Sequence, residues 1–289
     1  MPGTVKPKTF PPQKQPKPGL EKHMNPQPKF DSDAISANSQ MKGKVVLITG
    51  GDSGIGRAIA TAFAKQGAEV AISFMASEKA DAAETSRYIE ETYQKKCLLI
   101  PGDIRQQKHC NTLVRKTVKQ FGRIDVLINN AGLHYVHESV EEITAAQLRK
   151  TFEVNVFAMF YIVQAAMPHL KKGASIINTA SVTAYRGSWH LIDYAATKGA
   201  IVAFTRSLAA LLADKQIRVN AVAPGPVWTP LIVSSLKPRE VHKFGSESPM
   251  KRAGQPVEIA SCYLFLASEA ASYITGQVMH PNGGEIING

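Results

Sequence analysis

With 289 residues, 44% of them hydrophobic, the chain is long enough for one large α/β domain or two smaller ones around a sizeable core. Its formal charge of +11 raises nucleic acid as a partner, but no Lys/Arg block is interleaved with aromatics, so the charge is read as an attraction for an anionic cofactor and no nucleic-acid partner is expected. No apolar run reaches the roughly eighteen residues of a membrane span, and Cys97, Cys110 and Cys262 lack CxxC spacing, which points to a globular chain with reduced thiols, expected in the cytoplasm without a membrane partner.

Residues 1–42 hold eight of the seventeen prolines, and seven lysines against Glu21, Asp31 and Asp33. With so few aliphatics they form no core of their own and read as an extended arm. Phe10, Leu20, Met24 and Phe30 are spaced as anchors on the body or on a neighbouring subunit; the alternative is a free tail. From Lys44 onwards, β-rich runs at 44–49, 69–74, 97–100, 124–129, 174–179, 217–222 and 276–280 alternate with helical spacing at 55–66, 79–95, 106–121, about 144–170, 194–213 and 256–267. Strands without polar alternation, each bounded by helices, predict one doubly wound α/β domain over 43–289, a parallel seven-stranded sheet with helices on both faces.

The first strand runs into "TGGDSGIG", with Gly50, Gly54 and Gly56 at a strand-to-helix turn. The first amides of such a helix have no partner in the chain, and with the helix dipole they attract an anion that side chains would otherwise keep away. The spacing differs from GxGxxG and the Walker lysine is absent, so a dinucleotide is favoured over a nucleotide triphosphate. At the end of the second strand, where an acid commonly grips the adenosine ribose of NAD, stands Phe74, followed by Met75. That absence permits the 2′-phosphate of NADP, with Arg57 or Lys79 as countercharge, so NADP is slightly favoured over NAD. Asp103, after the third strand, is read as an acceptor for the adenine amino group or as a helix N-cap.

Among eight tyrosines only Tyr194 has a lysine four residues later, Lys198, which puts both side chains on one helix face. A nearby ammonium stabilises a phenolate, and a carbonyl reductase needs a group that protonates oxygen while hydride reaches carbon. Ser181, just beyond a strand's carboxyl end, is placed to bond a substrate carbonyl. Asn155 is a polar residue within an apolar helix, either a satisfied core amide or one that kinks the helix and holds a water. His134, His137 and Glu138 lack a third ligand cluster, so no metal is expected. Residues 226–250 read as a lid, with Trp228 as packing residue or substrate contact, and the apolar helix 200–213 suggests burial against another subunit.

Together Thr49-Gly50-x3-Gly54-x-Gly56, Asn129-Asn130-Ala131-Gly132, Asn155, Ser181, Tyr194-x3-Lys198 and Pro224-Gly225 stand in an order and spacing similar to the short-chain dehydrogenase/reductase family. The proline-rich arm and the ending "NGGEIING" resemble its bacterial general stress oxidoreductase or aldehyde reductase subgroup. The resemblance implies a Rossmann-type fold, a small carbonyl or alcohol substrate and a homotetramer. It implies Tyr194 as general acid/base, Lys198 lowering its pKa and bonding the nicotinamide ribose, Ser181 orienting the carbonyl and Asn155 anchoring a water. Asn129 would brace the sheet. Gly50, Asp52, Ser53, Gly54, Ile55, Gly56, Phe74, Asp103, Ile104, Asn130, Ala131 and Gly132 would line the adenosine and phosphate positions, with Pro224, Gly225, Val227 and Thr229 beside the nicotinamide. Tyr185 and Trp228, with Ser181 and Tyr194, would contact substrate. A second reading on this fold is a redox-sensing, cofactor-binding protein without turnover, whose partner contacts run through the basic arm.

Overall fold

The seven apolar runs pair into a single sheet because their side chains offer no polar face to water. In the computed structural model, which describes residues 8–287, the strands are β1 (Val45–Thr49), β2 (Glu69–Phe74), β3 (Cys97–Pro101), β4 (Ile124–Asn129), β5 (Leu170–Thr179), β6 (Arg218–Val222) and β7 (Val278–Met279). The helices are α1 (Gly54–Lys65), α2 (Lys79–Tyr93), α3 (Gln107–Phe121), α4 (Ala145–Phe152), α5 (Ala158–Ala166), α6 (Thr183–Arg186), α7 (Ile192–Leu212), α8 (Pro230–Ser235), α9 (Pro238–Lys243) and α10 (Pro256–Ala267). Every strand pair is parallel, in the order β3-β2-β1-β4-β5-β6-β7. On one side β1 pairs with β2, Val45 opposite Glu69 through Thr49 opposite Ser73; on the other Val46 to Ile48 face Val126 to Ile128 of β4. The chain thus builds outwards from β1 to β3, then returns to β4 and builds the other way. A crevice opens beyond the carboxyl ends of β1 and β4, where the winding reverses.

Side-chain alternation sends consecutive β1 residues into two cores. Val46 and Ile48 pack with Ile59, Phe63, Ile89, Tyr263 and Leu266 of α1, α2 and α10. Leu47 points the other way, into Leu113, Ile162 and Leu212 of α3, α5 and α7. Each fully buried valine, isoleucine or leucine among these contributes about 1.5–3 kcal/mol relative to exposure. By length and composition α7 and its following turn, Ile192–Lys215, would suffice to cross a membrane; here Ile201, Val202, Ala209 and Leu212 are buried in the sheet's cores.

The helix expected over 144–170 is divided. Thr144 caps α4 by accepting from Gln147 N at 3.2 Å, a π-helical turn spans Glu153–Phe157, and α5 ends in a 3-10 turn, Met167–His169, with a proline in its first turn. Strand β5 then begins at Leu170 rather than 174, with a register shift against β4 between Ile124 and Val126. The proline lacks the N–H that would continue the helix.

From residue 8 the arm lies along the body with one short turn, Glu21–His23. Phe10 stacks face to face on Trp228 at 3.8 Å, and Met24 shares that cluster with Ile232, Val233 and Val241. Main-chain bonds run from Phe10 N to His242 O (3.1 Å), Gln15 N to Val233 O (2.9 Å) and Val257 N to Lys29 O (3.0 Å). Farther along, Asp31 accepts from Tyr88 and Tyr93 of α2 and Lys65 of α1.

Candidate active site

At the crevice, short polar bonds tie the loops after β1 and β4 together. Thr49 Oγ1 accepts from Asn130 N (3.0 Å) and Ala131 N (3.1 Å), while Asn130 Nδ2 donates to Thr49 O (3.2 Å) and Gly50 O (3.0 Å). Beneath them Asn129 Nδ2 donates to Asn178 Oδ1 at 2.8 Å, and Asn178 Nδ2 to Thr205 Oγ1 at 2.9 Å, which braces β4, β5 and α7. Gly50 and Gly54 have φ of +62° and +52°, and a Cβ on Gly56 would overlap the Gly50 carbonyl oxygen. The loop can therefore turn this tightly only with glycines.

The cleft has a volume of 460 Å³. It is lined by Gly50, Asp52, Ser53, Gly54, Ile55, Phe74, Asp103, Ile104, Asn130, Ala131 and Gly132, together with Ser181, Tyr194, Lys198, Pro224, Gly225, Val227 and Thr229. A nicotinamide dinucleotide fits these residues: the Ile55 amide has no carbonyl one turn back, and Lys198 uses only one of its N–H groups, donating to Thr179 O at 2.6 Å; Gly56, expected beside the phosphates, lies outside the lining because it packs on the Gly50 carbonyl. One first-turn amide is already committed. Glu21 of the arm accepts from Gly54 N at 2.7 Å, an anion supplied by the chain itself.

Lys198 and Tyr194 stand one helical turn apart on α7, with the Lys198 Nζ 5.3 Å from the Tyr194 ring centroid. Burial pushes the Tyr194 phenol up to about 12, against the pull of a hydrogen bond with Ser181, and lowers Lys198 to about 7. Ser181 Oγ accepts from Thr183 N (3.2 Å) and Thr183 Oγ1 (3.0 Å), which leaves its own proton to donate. Asn155 sits in the π-helical turn, with Oδ1 accepting from Leu133 N (2.9 Å) and Nδ2 donating to Leu133 O (3.0 Å) and Thr197 Oγ1 (3.0 Å). It pins the β4 loop to the turn of α7 that carries Lys198. The widened turn admits the side chain to both partners.

Several sequence expectations are corrected. Trp228 makes no contact with the cleft: it is 0% exposed, lies under Phe10 and donates from Nε1 to Pro26 O at 2.8 Å, because the arm supplies its apolar cover. Tyr185 also lies outside the cleft lining, since α6 turns its ring onto His280, 4.6 Å away. Arg57 is unavailable as a countercharge: it is buried, paired with Glu21 at 2.9 Å and stacked on Phe30 at 3.7 Å. Asp103 is not a helix N-cap; it forks onto Arg105 at 2.6 Å while lining the cleft. Among the described residues no group of three His, Cys, Asp or Glu is placed to hold a metal ion.

Other functional positions were not legible in the sequence. The carboxylate of Glu78 folds back onto Met75 N (2.9 Å) and brings an acid to the Phe74 end of the cleft, where burial, then Glu78, raises Asp52. Asp193 accepts from Tyr194 N (2.8 Å), Gln147 Nε2 (2.9 Å) and Thr151 Oγ1 (2.7 Å), and so fixes the start of α7. His134 meets the Tyr194 ring edge-on at 5.3 Å and is driven down to about 3 by burial, so it is neutral. The arm contributes Lys17, Pro18 and Gly19 to the cleft wall.

Comparison with known proteins places this geometry. A family model described as enoyl-(acyl carrier protein) reductase matches residues 50–285. General stress protein 39 of Bacillus subtilis is 50% identical over 97% of this chain and 98% of its own length. The chloroplastic NADPH-dependent aldehyde reductase 1 of Arabidopsis thaliana is 50% identical over 94% of this chain and 96% of its own. A crystal structure of a short chain dehydrogenase from Burkholderia cenocepacia in complex with NADP superposes with a TM-score of 0.79 at 30% identity, covering 85% of this chain and 98% of that one.

Proposed function

The chain belongs to the short-chain dehydrogenase/reductase family, and from that premise we propose that it interconverts a small aldehyde or ketone and its alcohol, with Tyr194 as general acid/base. The observation that carries this reading is the convergence of Ser181, Tyr194 and Lys198 in one cleft with the glycine loop. When bound, a nicotinamide dinucleotide supplies or accepts the hydride.

In the reductive direction Tyr194 holds its proton at neutral pH, since burial keeps the phenol at about 12, and donates it to the carbonyl oxygen. Ser181 turns its hydroxyl proton from the phenol to the same oxygen and holds the carbonyl towards the phenol. Lys198, when charged, lowers the cost of leaving a phenolate, and its uncommitted N–H groups bond the nicotinamide ribose. Asn155 positions Lys198 through Thr197 and offers its remaining lone pair to a water of the proton path. The Ile55 amide holds a phosphate, and Thr229, Pro224 and Gly225 wall the nicotinamide position.

Hydride carriers of both kinds have support. NADPH dependence of the plant relative and NADP in the Burkholderia structure favour NADP(H). The carboxylate of Glu78 beside Phe74 favours NAD(H), because it opposes a 2′-phosphate and removes the premise that no acid stands there. A homotetramer is supported by exposed Phe157, Phe160 and Leu211 on the helical layer containing α5 and α7.

The test is Tyr194→Phe, which keeps the ring and removes the proton. Turnover of aldehydes falls by about 10²–10⁴-fold or more, while fluorescence titration finds nicotinamide binding retained. Undiminished turnover in that variant refutes the mechanism.

A further inference from the structure

The arm crosses the cleft at its substrate end. Gly19 packs so closely on Pro230 that a Cβ would stand 2.6 Å from the Pro230 carbonyl oxygen, and two residues earlier Lys17 reaches the opposite wall, donating to His134 O beside the Tyr194 ring. Its Nζ also lies 4.3 Å from the centroid of Tyr135, whose ring has the Lys150 Nζ 5.9 Å away. Neither lysine forms an ion pair among the described residues. The carboxylate whose field reaches Lys17, Asp193, is occupied by Tyr194 N, Gln147 and Thr151. With one carbonyl acceptor and a tyrosine face beside it, the ammonium of Lys17, an exposed residue on the cleft wall, keeps unspent donors and an unpaired charge.

We propose that Lys17, carried into the site by the arm and seconded by Lys150, selects carbonyl substrates that bear an anionic group a few carbons from the reacting carbonyl. This rests on the reading of Tyr194 as the proton donor of the site. The anionic group is a carboxylate or a phosphate, since both accept hydrogen bonds from an ammonium.

The experiment compares paired substrates on the full chain with saturating cofactor: succinic semialdehyde against butanal for carboxylate, and glyceraldehyde 3-phosphate against glyceraldehyde for phosphate. The wild-type chain prefers the charged member of at least one pair in kcat/KM by about tenfold or more, the discrimination of one charge-assisted hydrogen bond. In Lys17→Met that ratio collapses towards one, chiefly through KM, and Lys17→Arg restores most of it. An equal loss for charged and neutral members in Lys17→Met, whether or not the arm leaves Trp228, overturns the proposal. So does a loss of cofactor affinity with the substrate ratio intact, which would assign Lys17 to the dinucleotide. Turnover of butanal and glyceraldehyde with no preference for either charged partner defeats this proposal alone; no turnover of any of the four defeats the reading beneath it.

Discussion

Truncating Phe10 to alanine tests whether the arm is held to residues 226–250 as a structural part. Phe10 is 4% exposed and lies nearly coplanar with the Trp228 ring, 3.8 Å away and 3° from parallel. Removing a core phenylalanine costs about 3–5 kcal/mol, and an aromatic pair adds about 0.5–1.5 beyond area burial. Phe10 sits on an arm, however, and the stretch from Lys8 to Gln15 is otherwise held by main-chain bonds to Lys251, His242 and Val233 and by Lys14 on the carbonyls of Ser235 and Leu236. Each contributes about 0.5–1.5 kcal/mol net. A loss of about 3 kcal/mol shifts the docking equilibrium of this stretch by more than about a hundredfold, while the body stays folded, because Phe10 packs in the separate Trp228 cluster and not in the two cores flanking the sheet. Tryptophan fluorescence reads this cleanly. The chain has two tryptophans, Trp228 at 0% exposed and Trp189 at 72%, so in a Trp189→Phe background all emission comes from Trp228. Phe10→Ala then shifts that emission to the red and makes it accessible to acrylamide, and KM rises because Ile232, in the same cluster, lines the cleft. Unchanged emission and quenching in Phe10→Ala would refute the reasoning.

Two further outcomes follow from charges at the ends of the cleft. Glu78→Gln keeps an acceptor for Met75 N but removes the carboxylate, and tightens NADPH relative to NADH by about tenfold in competitive titration; an unchanged ratio would show that Glu78 does not face the ribose. Lys17 is lowered to about 8 by partial desolvation at the cleft wall and by Lys14 and Lys150, against Asp193. As a base it carries its charge below that value, so preference for the anionic aldehyde is present at pH 7 and fades as pH rises through about 8. The same series with Lys17→Arg, charged throughout, shows no such decline; a wild-type preference flat to pH 10 would contradict the assignment.

Much of this protein is legible residue by residue, because the relevant physics is local. Strand β2 matches its predicted bounds, since an apolar run without polar alternation belongs in a buried parallel sheet wherever it occurs. The glycine turn is similarly readable, as the close approach of Gly56 to Gly50 forbids any side chain. The Tyr194–Lys198 pairing follows from helical periodicity alone. By contrast, the break of one long helix at Asn155 depended on partners at Leu133 and Thr197, which lie far away in the chain.

The arm shows the limit most sharply. Its composition excludes a core of its own, yet no local pattern in "PKPGLEKHM" reveals that Glu21 takes the Gly54 amide and neutralises Arg57, or that Lys17 spans to His134. Those contacts join residues 33 to 117 positions apart. Trp228 was ambiguous for the same reason, since its exposure depends on Phe10, more than two hundred residues away. Glu78 carries no signal in the sequence because its position relative to β2 is set by a turn that folds its carboxylate back onto Met75. By itself the sequence determined the doubly wound sheet, the glycine turn and the pairing of Tyr194 with Lys198, all products of periodicity and steric exclusion; which charges meet at the cleft, and what the arm covers, only the tertiary structure decided, because burial and electrostatic partnership are properties of surfaces brought together from distant parts of the chain.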